Sequence, residues 1–359
     1  MRCIAVRRRF RSVSAAKLIG QQSALLVGLL VCALGSCCPP VTTPPAGVYQ
    51  AEVEQGRRPT SSGKRVRYNL FIPQPDAALP PPPWPAVVLS HGFARDRTRH
   101  RDNAMYLAQR GIVVLTPDMA GLLGGEAAQL NCIADLVDDV AWLAQRSAAH
   151  DDALTGLVDP ARIGLAGHSA GGAISFEAAI DAQNTTTPVA AVALLDAVPW
   201  DRTIARAAGF PTIPFASWRS EPGPCNADGS VRSLLSGLPL PTEDVLIVGG
   251  THCDPENPSD ALCALACCRS TTGRQALYQQ FLYLFVRDAL QAPFVPGEPE
   301  EYEAALDAAA TLGLIVRTPG GKRGELPVSL RANGESYVEG PDGAPDRGIR
   351  FTMTFLFPK

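Results

Sequence analysis

The sequence predicts an α/β fold: a mostly parallel central sheet with helices on both faces. Three observations predict it. Unbroken apolar runs at 86–90, 112–116, 189–195 and 245–248 alternate with helical segments. Such runs read as strands buried on both faces, the condition of a parallel sheet. A G-x-S-x-G pentapeptide with one extra glycine, Gly167-His168-Ser169-Ala170-Gly171-Gly172, stands between an apolar strand at 162–166 and a helix at 173–180. Finally, right-handed crossovers carry the carboxyl ends of these strands, and so His91, Ser169, Asp196 and His252, to one rim.

The chain begins with a targeting segment. Arg2, Arg7, Arg8, Arg9, Arg11 and Lys17 form a basic head, 18–34 is apolar, and small residues Gly35 and Ser36 precede Cys37. This reads as a bacterial-type signal peptide over 1–36. Leu34-Gly35-Ser36-Cys37 resembles a lipobox, in which Cys37 is lipidated and becomes the mature N-terminus; plain secretion is the alternative. Arg7-Arg8-Arg9-Phe10 resembles a twin-arginine signal only in part, because Arg11 stands where an apolar residue belongs. Residues 37–47, rich in proline and threonine, read as an extended tether.

The body is expected over 48–290. Residues 48–54 and 64–72 alternate as an antiparallel hairpin. A loop with four consecutive prolines follows at 73–85. The strand at 86–90 runs into His91-Gly92-Phe93. A helix at 103–110 stops at Gly111, and the strand at 112–116 ends at Pro117-Asp118. A glycine-rich loop at 121–125 leads to a helix over 133–147, with Ile133, Leu136, Val137, Val140 and Leu143 on one face. After the serine turn, the strand at 189–195 ends at Asp196. A further strand is expected at 212–217 and the last at 245–248, entering Gly249-Gly250-Thr251-His252. A helix at 275–290 closes the body. Residues 291–359 read as an extension of unassigned role, with helical character at 302–312 and alternation at 348–357.

Composition narrows the function. A net charge of −3 with both signs mixed argues against a nucleic-acid partner. Ten cysteines suit an oxidising compartment. Cys3 and Cys32 leave with the signal, and lipidation of Cys37 would leave seven thiols, an odd number. At least one disulfide is expected within or to the group Cys225, Cys253, Cys263, Cys267 and Cys268, steadying the segment that carries His252. Adjacent Cys267 and Cys268 are not expected to pair with each other. The spacing does not form two C-x-x-C hooks, so no metal site is expected there.

Strand, sharp turn and helix around Ser169 are what an exposed nucleophile requires. The following helix aims its first N–H groups at the place where negative charge would develop. Of five histidines, His252 alone follows Ser169, which makes it the candidate base. Two acids compete. Asp196 ends the strand after the serine turn; Glu221 sits one strand later in a Gly/Pro-rich loop. Asp196 is preferred, because a short side chain at a strand end holds an imidazole firmly. The backbone N–H groups of Ala170 and Phe93 are the candidate oxyanion donors. His91 is read as supporting the Phe93 loop. His168 is read as shaping the turn, since adjacent side chains in a tight elbow are expected to diverge.

His91-Gly92-Phe93, Leu107-Ala108-Gln109-Arg110-Gly111 before the next strand, the Gly-His-Ser-Ala-Gly-Gly turn and Pro199-Trp200-Asp201 together resemble the α/β-hydrolase superfamily. Within it the chain resembles the chlorophyllase, dienelactone-hydrolase and cutinase-like polyester-hydrolase branches, and platelet-activating-factor acetylhydrolase. The resemblance covers about 48–290 and implies the α/β-hydrolase fold, carboxylic-ester hydrolysis by a Ser-His-Asp set, and no cofactor or metal. It also implies that Trp200 walls the acyl cleft, and Phe93 is the second candidate substrate contact. Asp196 matches the chlorophyllase-like placement of the acid; Glu221 is the one residue that could match the polyester-hydrolase placement. Serine departs from the cysteine usual in dienelactone hydrolases proper. The expected protein is a secreted or lipid-anchored monomeric carboxylesterase of the cell envelope, acting on a small or polymeric ester. A peptidase or thioesterase would use the same residues. A catalytically silent surface-binding lipoprotein is the alternative of another class.

Overall fold

The structure is a computed structural model that describes residues 48–319, except 120–121, 123–124, 227, 295–298 and 300. The signal segment, Cys37, the tether and the alternating stretch at 348–357 lie outside the described residues. No helix among the described residues is long and apolar enough to cross a membrane.

In chain order the elements are β1 (Ala51–Pro59), β2 (Arg65–Pro73), β3 (Trp84–Ser90), α1 (Arg101–Ala108), β4 (Val113–Pro117), α2 (Glu126–Ala148), β5 (Val158–His168), α3 (Ala170–Ala182), β6 (Val192–Leu195), α4 (Asp201–Ala205), β7 (Phe215–Arg219), α5 (Asp228–Ser236), β8 (Glu243–Ile247), α6 (Ala261–Cys267), α7 (Thr272–Leu290), α8 (Tyr302–Thr311) and β9 (Ile315–Pro319). They build a nine-stranded sheet in the order β1-β2-β4-β3-β5-β6-β7-β8-β9. β1 and β2 form the expected antiparallel hairpin, and β2 meets β4 antiparallel. From β4 to β8 every pairing is parallel. This is the α/β-hydrolase fold.

Alternation along the strands divides the core. Ala86 and Val88 of β3 and Val192 and Leu194 of β6 face a cluster closed by Ile133, Leu136 and Val140 of α2 and Ile174 and Phe176 of α3. Val87, Leu89, Ala193 and Leu195 face the opposite side, with Leu107 of α1 and Tyr278, Phe281 and Phe285 of α7. Both sides of β3 are therefore dry, which is why its sequence shows no polar alternation.

The sheet continues past residue 290, where the sequence reading ends the body. β9 pairs antiparallel with β8, Ile315 opposite Ile247. Leu306 of α8 is buried in the same cluster as α7, and Trp218 donates its indole N–H to the Tyr302 hydroxyl at 2.9 Å. A buried edge strand needs its backbone partners, and β9 supplies them for β8. Three short helices, α4, α5 and α6, lie in stretches for which the sequence pattern predicts no element. α5 buries Val231, Leu234 and Leu235 at helical spacing, and α6 is tethered by disulfides, as described below.

Candidate active site

β5 ends at His168 and α3 begins at Ala170, so Ser169 alone makes the turn. It does so at φ 57° and ψ −125°, a left-handed backbone unusual for a residue with a side chain. The helix can cross this close to the strands only because Gly171 has no side chain. A methyl there would collide with the His91 carbonyl and lie 2.9 Å from that of Ser90. The turn is tied to β6 and to the loop after it: Ser169 N–H donates to the Leu195 carbonyl at 3.2 Å and Val198 N–H to the Ser169 carbonyl at 3.0 Å.

Asp196 leaves β6 with φ 46° and donates its N–H to the Trp218 carbonyl at 2.6 Å. The β7 end then grips its carboxylate. Ser220 N–H donates to Oδ1 at 2.7 Å, and Ser220 Oγ–H to Oδ2 at 2.6 Å. The imidazole of His252 completes the line, with Nδ1 2.6 Å from Asp196 Oδ2 and Nε2 2.8 Å from Ser169 Oγ. The carboxylate oxygen only accepts, so Nδ1 carries the proton and Nε2 is left to accept from the serine hydroxyl. All three residues are buried, Asp196 at 1% exposure. Glu221, the competing acid, is exposed and accepts the Gly249 N–H at 2.8 Å. It braces the entrance to the base segment rather than the imidazole.

The segment around His252 is bound from several sides. Cys253 is joined to Cys263 on α6, and Cys225 to Cys267 at the end of that helix, with Cα–Cα separations of 5.9 and 5.2 Å. Both bridges fall within the expected cysteine group, and Cys267 does not pair with Cys268. The sulfurs of Cys253, Cys263 and Cys267 lie within 4.8 Å of one another, and all three belong to these bridges. Asp254 accepts Thr251 N–H at 2.6 Å, Thr271 N–H at 2.9 Å and Arg274 Nε–H at 2.8 Å, tying the segment to the start of α7. Arg95 donates from Nε and Nη2 to Glu256 at 2.6 and 2.7 Å. Burial pushes the Glu256 carboxyl up from its ordinary range, against the pull of that guanidinium.

The other histidines are placed too. His91 donates from Nδ1 to the Gly92 carbonyl at 2.8 Å and accepts the Met119 N–H on Nε2 at 3.0 Å. It thus pins the Phe93 turn to the segment after β4. Ala170 opens α3 and Phe93 follows β3, at the same rim of the sheet. Trp200 caps α4 and packs, half-buried, on the cluster under α2 and α3, as does Phe93. His168 does not diverge from Ser169. With Ser169 in the left-handed region, both side chains reach His252: Nε2 of His168 lies 2.8 Å from the His252 carbonyl. Burial holds the His91 and His168 rings below the ordinary histidine range, with His252 adding to the effect at His168. Burial pushes His100, beside His168, down to about 3.

The roles of Ser220, Asp254 and His168 had no signal in the sequence. A serine after a strand or an aspartate two residues past a histidine is common, and direction is a tertiary property.

The arrangement offers a nucleophile, a base with a free acceptor nitrogen, and an acid that fixes the base's tautomer, which together suffice for acyl transfer. A family model described as serine aminopeptidase, S33, matches residues 81–211, a span that includes His91, Ser169, Asp196 and Trp200 and ends before His252. No curated protein matches the chain.

Proposed function

From this α/β-hydrolase fold of serine-hydrolase type, we propose that the protein hydrolyses carboxylic esters through an acyl-enzyme on Ser169. The hydrogen-bonded line Asp196–His252–Ser169, with contacts of 2.6 and 2.8 Å, carries this reading. His252 Nε2 takes the hydroxyl proton as Ser169 Oγ attacks the ester carbonyl. The carbonyl oxygen gathers negative charge and meets the N–H groups of Ala170 and Phe93, an interaction of the kind worth about 2.7–4 kcal/mol per donor. His252 then returns the proton to the departing alcohol. Water repeats the sequence, releasing the acid and restoring Ser169. Asp196 holds the imidazole in the tautomer that accepts. Trp200 and Phe93 flank the acyl group.

A second reading is favoured by the matching family model, that of a serine aminopeptidase. Such an enzyme needs a carboxylate to receive the substrate's ammonium group. Three buried carboxylates of this region, Asp196, Asp254 and Glu256, are each engaged by Ser220, Arg274 and Arg95 respectively. That supports ester over aminopeptide. We further propose that Cys37 is diacylated and anchors the protein at the cell envelope, since two chains hold stably where one is marginal.

The test is hydrolysis of p-nitrophenyl esters of graded acyl length beside aminoacyl p-nitroanilides, with Ser169→Ala as control. Ester turnover that vanishes in Ser169→Ala is expected. Turnover confined to anilides would move the assignment to the peptidase, and equal inertness of both proteins would favour a silent binding scaffold. Detergent-phase partition lost in Cys37→Ser is expected for the anchor; unchanged partition would leave plain secretion.

A further inference from the structure

We infer that His168 is a positioning residue, a latch whose Nε2–H holds the main-chain carbonyl of His252 while its neighbour Ser169 engages the same residue's ring. The inference rests on the assignment of Ser169 and His252 as nucleophile and base.

The geometry is two-point. One contact of 2.8 Å joins His168 Nε2 to the His252 carbonyl, and another of 2.8 Å joins Ser169 Oγ to His252 Nε2. Consecutive residues thus hold the base by its backbone and by its ring. Asp196 holds the ring from Nδ1 and the Cys253–Cys263 bridge holds the chain just beyond it, while the two contacts from 168 and 169 tie that ring and its own carbonyl to the nucleophile's turn. Together they fix the distance from nucleophile to base. A carbonyl only accepts, so Nε2 of His168 must carry the proton. Both partners are buried, at 2% and 7% exposure, where an unpaired carbonyl is costly and a made bond is firm.

The surroundings keep this ring neutral. The His252 ring stands 4.7 Å away and that of His100 5.9 Å, centre to centre. The Glu256 carboxylate lies 3.8 Å from Nδ1, already engaged by Arg95. Burial and the neighbouring His252 oppose a charge on His168. A neutral ring has a purpose here. When His252 takes the serine proton it becomes a cation, and a second cation at 4.7 Å would oppose that step. Arginine could donate to the same carbonyl, but only with a permanent charge.

The experiment compares His168→Gln, His168→Leu and His168→Asn with the wild type. Glutamine can place an amide N–H near the position of Nε2; leucine has no donor, and asparagine is too short to reach. Four quantities are read: kcat and KM on a short p-nitrophenyl ester, the thermal midpoint, and the low-field proton NMR signal of the His252 Nδ1–H against Asp196. His168→Leu and His168→Asn are expected to lose about 10- to 100-fold in kcat with KM little changed, the scale of a misplacement near 1 Å. Their low-field signal should broaden or vanish. His168→Gln should keep most of the turnover and a sharp signal. Wild-type turnover in Leu or Asn, or an equal loss in Gln and Leu at matched thermal midpoints, overturns the latch. If the leucine variant fails to fold, the Gln/Asn pair decides. If the wild type hydrolyses nothing, the functional reading falls, while the proton signal still decides the latch.

Discussion

Replacing Asp196 by asparagine is the sharpest perturbation this site allows, because the structure dictates how the amide must sit. Ser220 N–H points at Oδ1 from 2.7 Å. A backbone donor there requires an oxygen, so the amide oxygen must take that place. The amide nitrogen is then forced to the position of Oδ2, which is 2.6 Å from both Ser220 Oγ and His252 Nδ1. Ser220 can rotate its hydroxyl and accept. His252 must also accept, on Nδ1, which moves its proton to Nε2. The ring would then donate to Ser169 Oγ across the 2.8 Å contact instead of accepting from it. The base is lost without loss of shape. A wrong tautomer of this kind costs about 10⁴ in turnover, or roughly 5 kcal/mol of barrier. Glu221→Gln should change turnover less than about threefold, since its oxygen can still accept the Gly249 N–H. The assay is kcat on a p-nitrophenyl ester, with the thermal midpoint as a check on folding. An Asp196→Asn enzyme within tenfold of wild type, or a larger loss in Glu221→Gln, would refute the reasoning and move the acid to Glu221.

Other outcomes follow from the same geometry. Neutral in the fold down to about pH 3, His100 takes up a proton near pH ~6.5 once unfolded. Between those values the unfolded chain binds the extra proton, so stability falls as pH drops, by on the order of 1.4 kcal/mol per pH unit. Burial pushes Asp139 up to about 7, which acts in the opposite sense; the pH slope of the difference between wild type and His100→Gln in urea unfolding therefore isolates the histidine, and a flat difference would count against it. Gly171→Ala should abolish turnover and lower the melting temperature, because its methyl meets main-chain carbonyls that cannot yield; an active, equally stable variant would show the turn is looser than described. Converting Cys253 and Cys263 to serine opens a bridge between residues 10 apart. In the chain-entropy model that costs about 2.7 kcal/mol in urea, and kcat should fall with it, because His252 is the bridge's immediate neighbour; unchanged kcat would separate the bridge from the site.

Much of this was legible in the sequence because the features are local. The apolar runs of β3, β4 and β6 are short and bounded by turn residues, as buried strands are, and those of β3 and β6 end at the rim residues His91 and Asp196. Asp196 and Glu221 could be ranked from where they leave their strands. The orientation of His168 was not legible, since it depends on a single left-handed residue next to it. β9 leaves a trace in the sequence: Leu314-Ile315-Val316-Arg317-Thr318, with three β-branched residues, stands between Gly313 and Pro319. It is short, and only the uncovered edge of β8 shows what it is for. The pairing among five clustered cysteines has no counterpart in sequence at all, because spacing does not encode which sulfurs meet.

Left-handed backbone outside glycine occurs among the described residues at Ala94, Ser169, Asp196, Cys268 and Gln291. Such a residue stores on the order of 1 kcal/mol. At 169 and 196 the proposed mechanism needs the side chain, so a gain in heat tolerance from relaxing the backbone there is expected to cost activity. Gln291 is different. It sits at φ 52° as the last cap of α7, where its N–H closes on the Arg287 carbonyl, a place where glycine is the common choice. The same conformation is thus a working tension at the rim and a removable one at the far end of the closing helix. Attempts to harden this enzyme have their opening at residue 291, on the far side of the molecule's economy from the serine that cannot be relaxed.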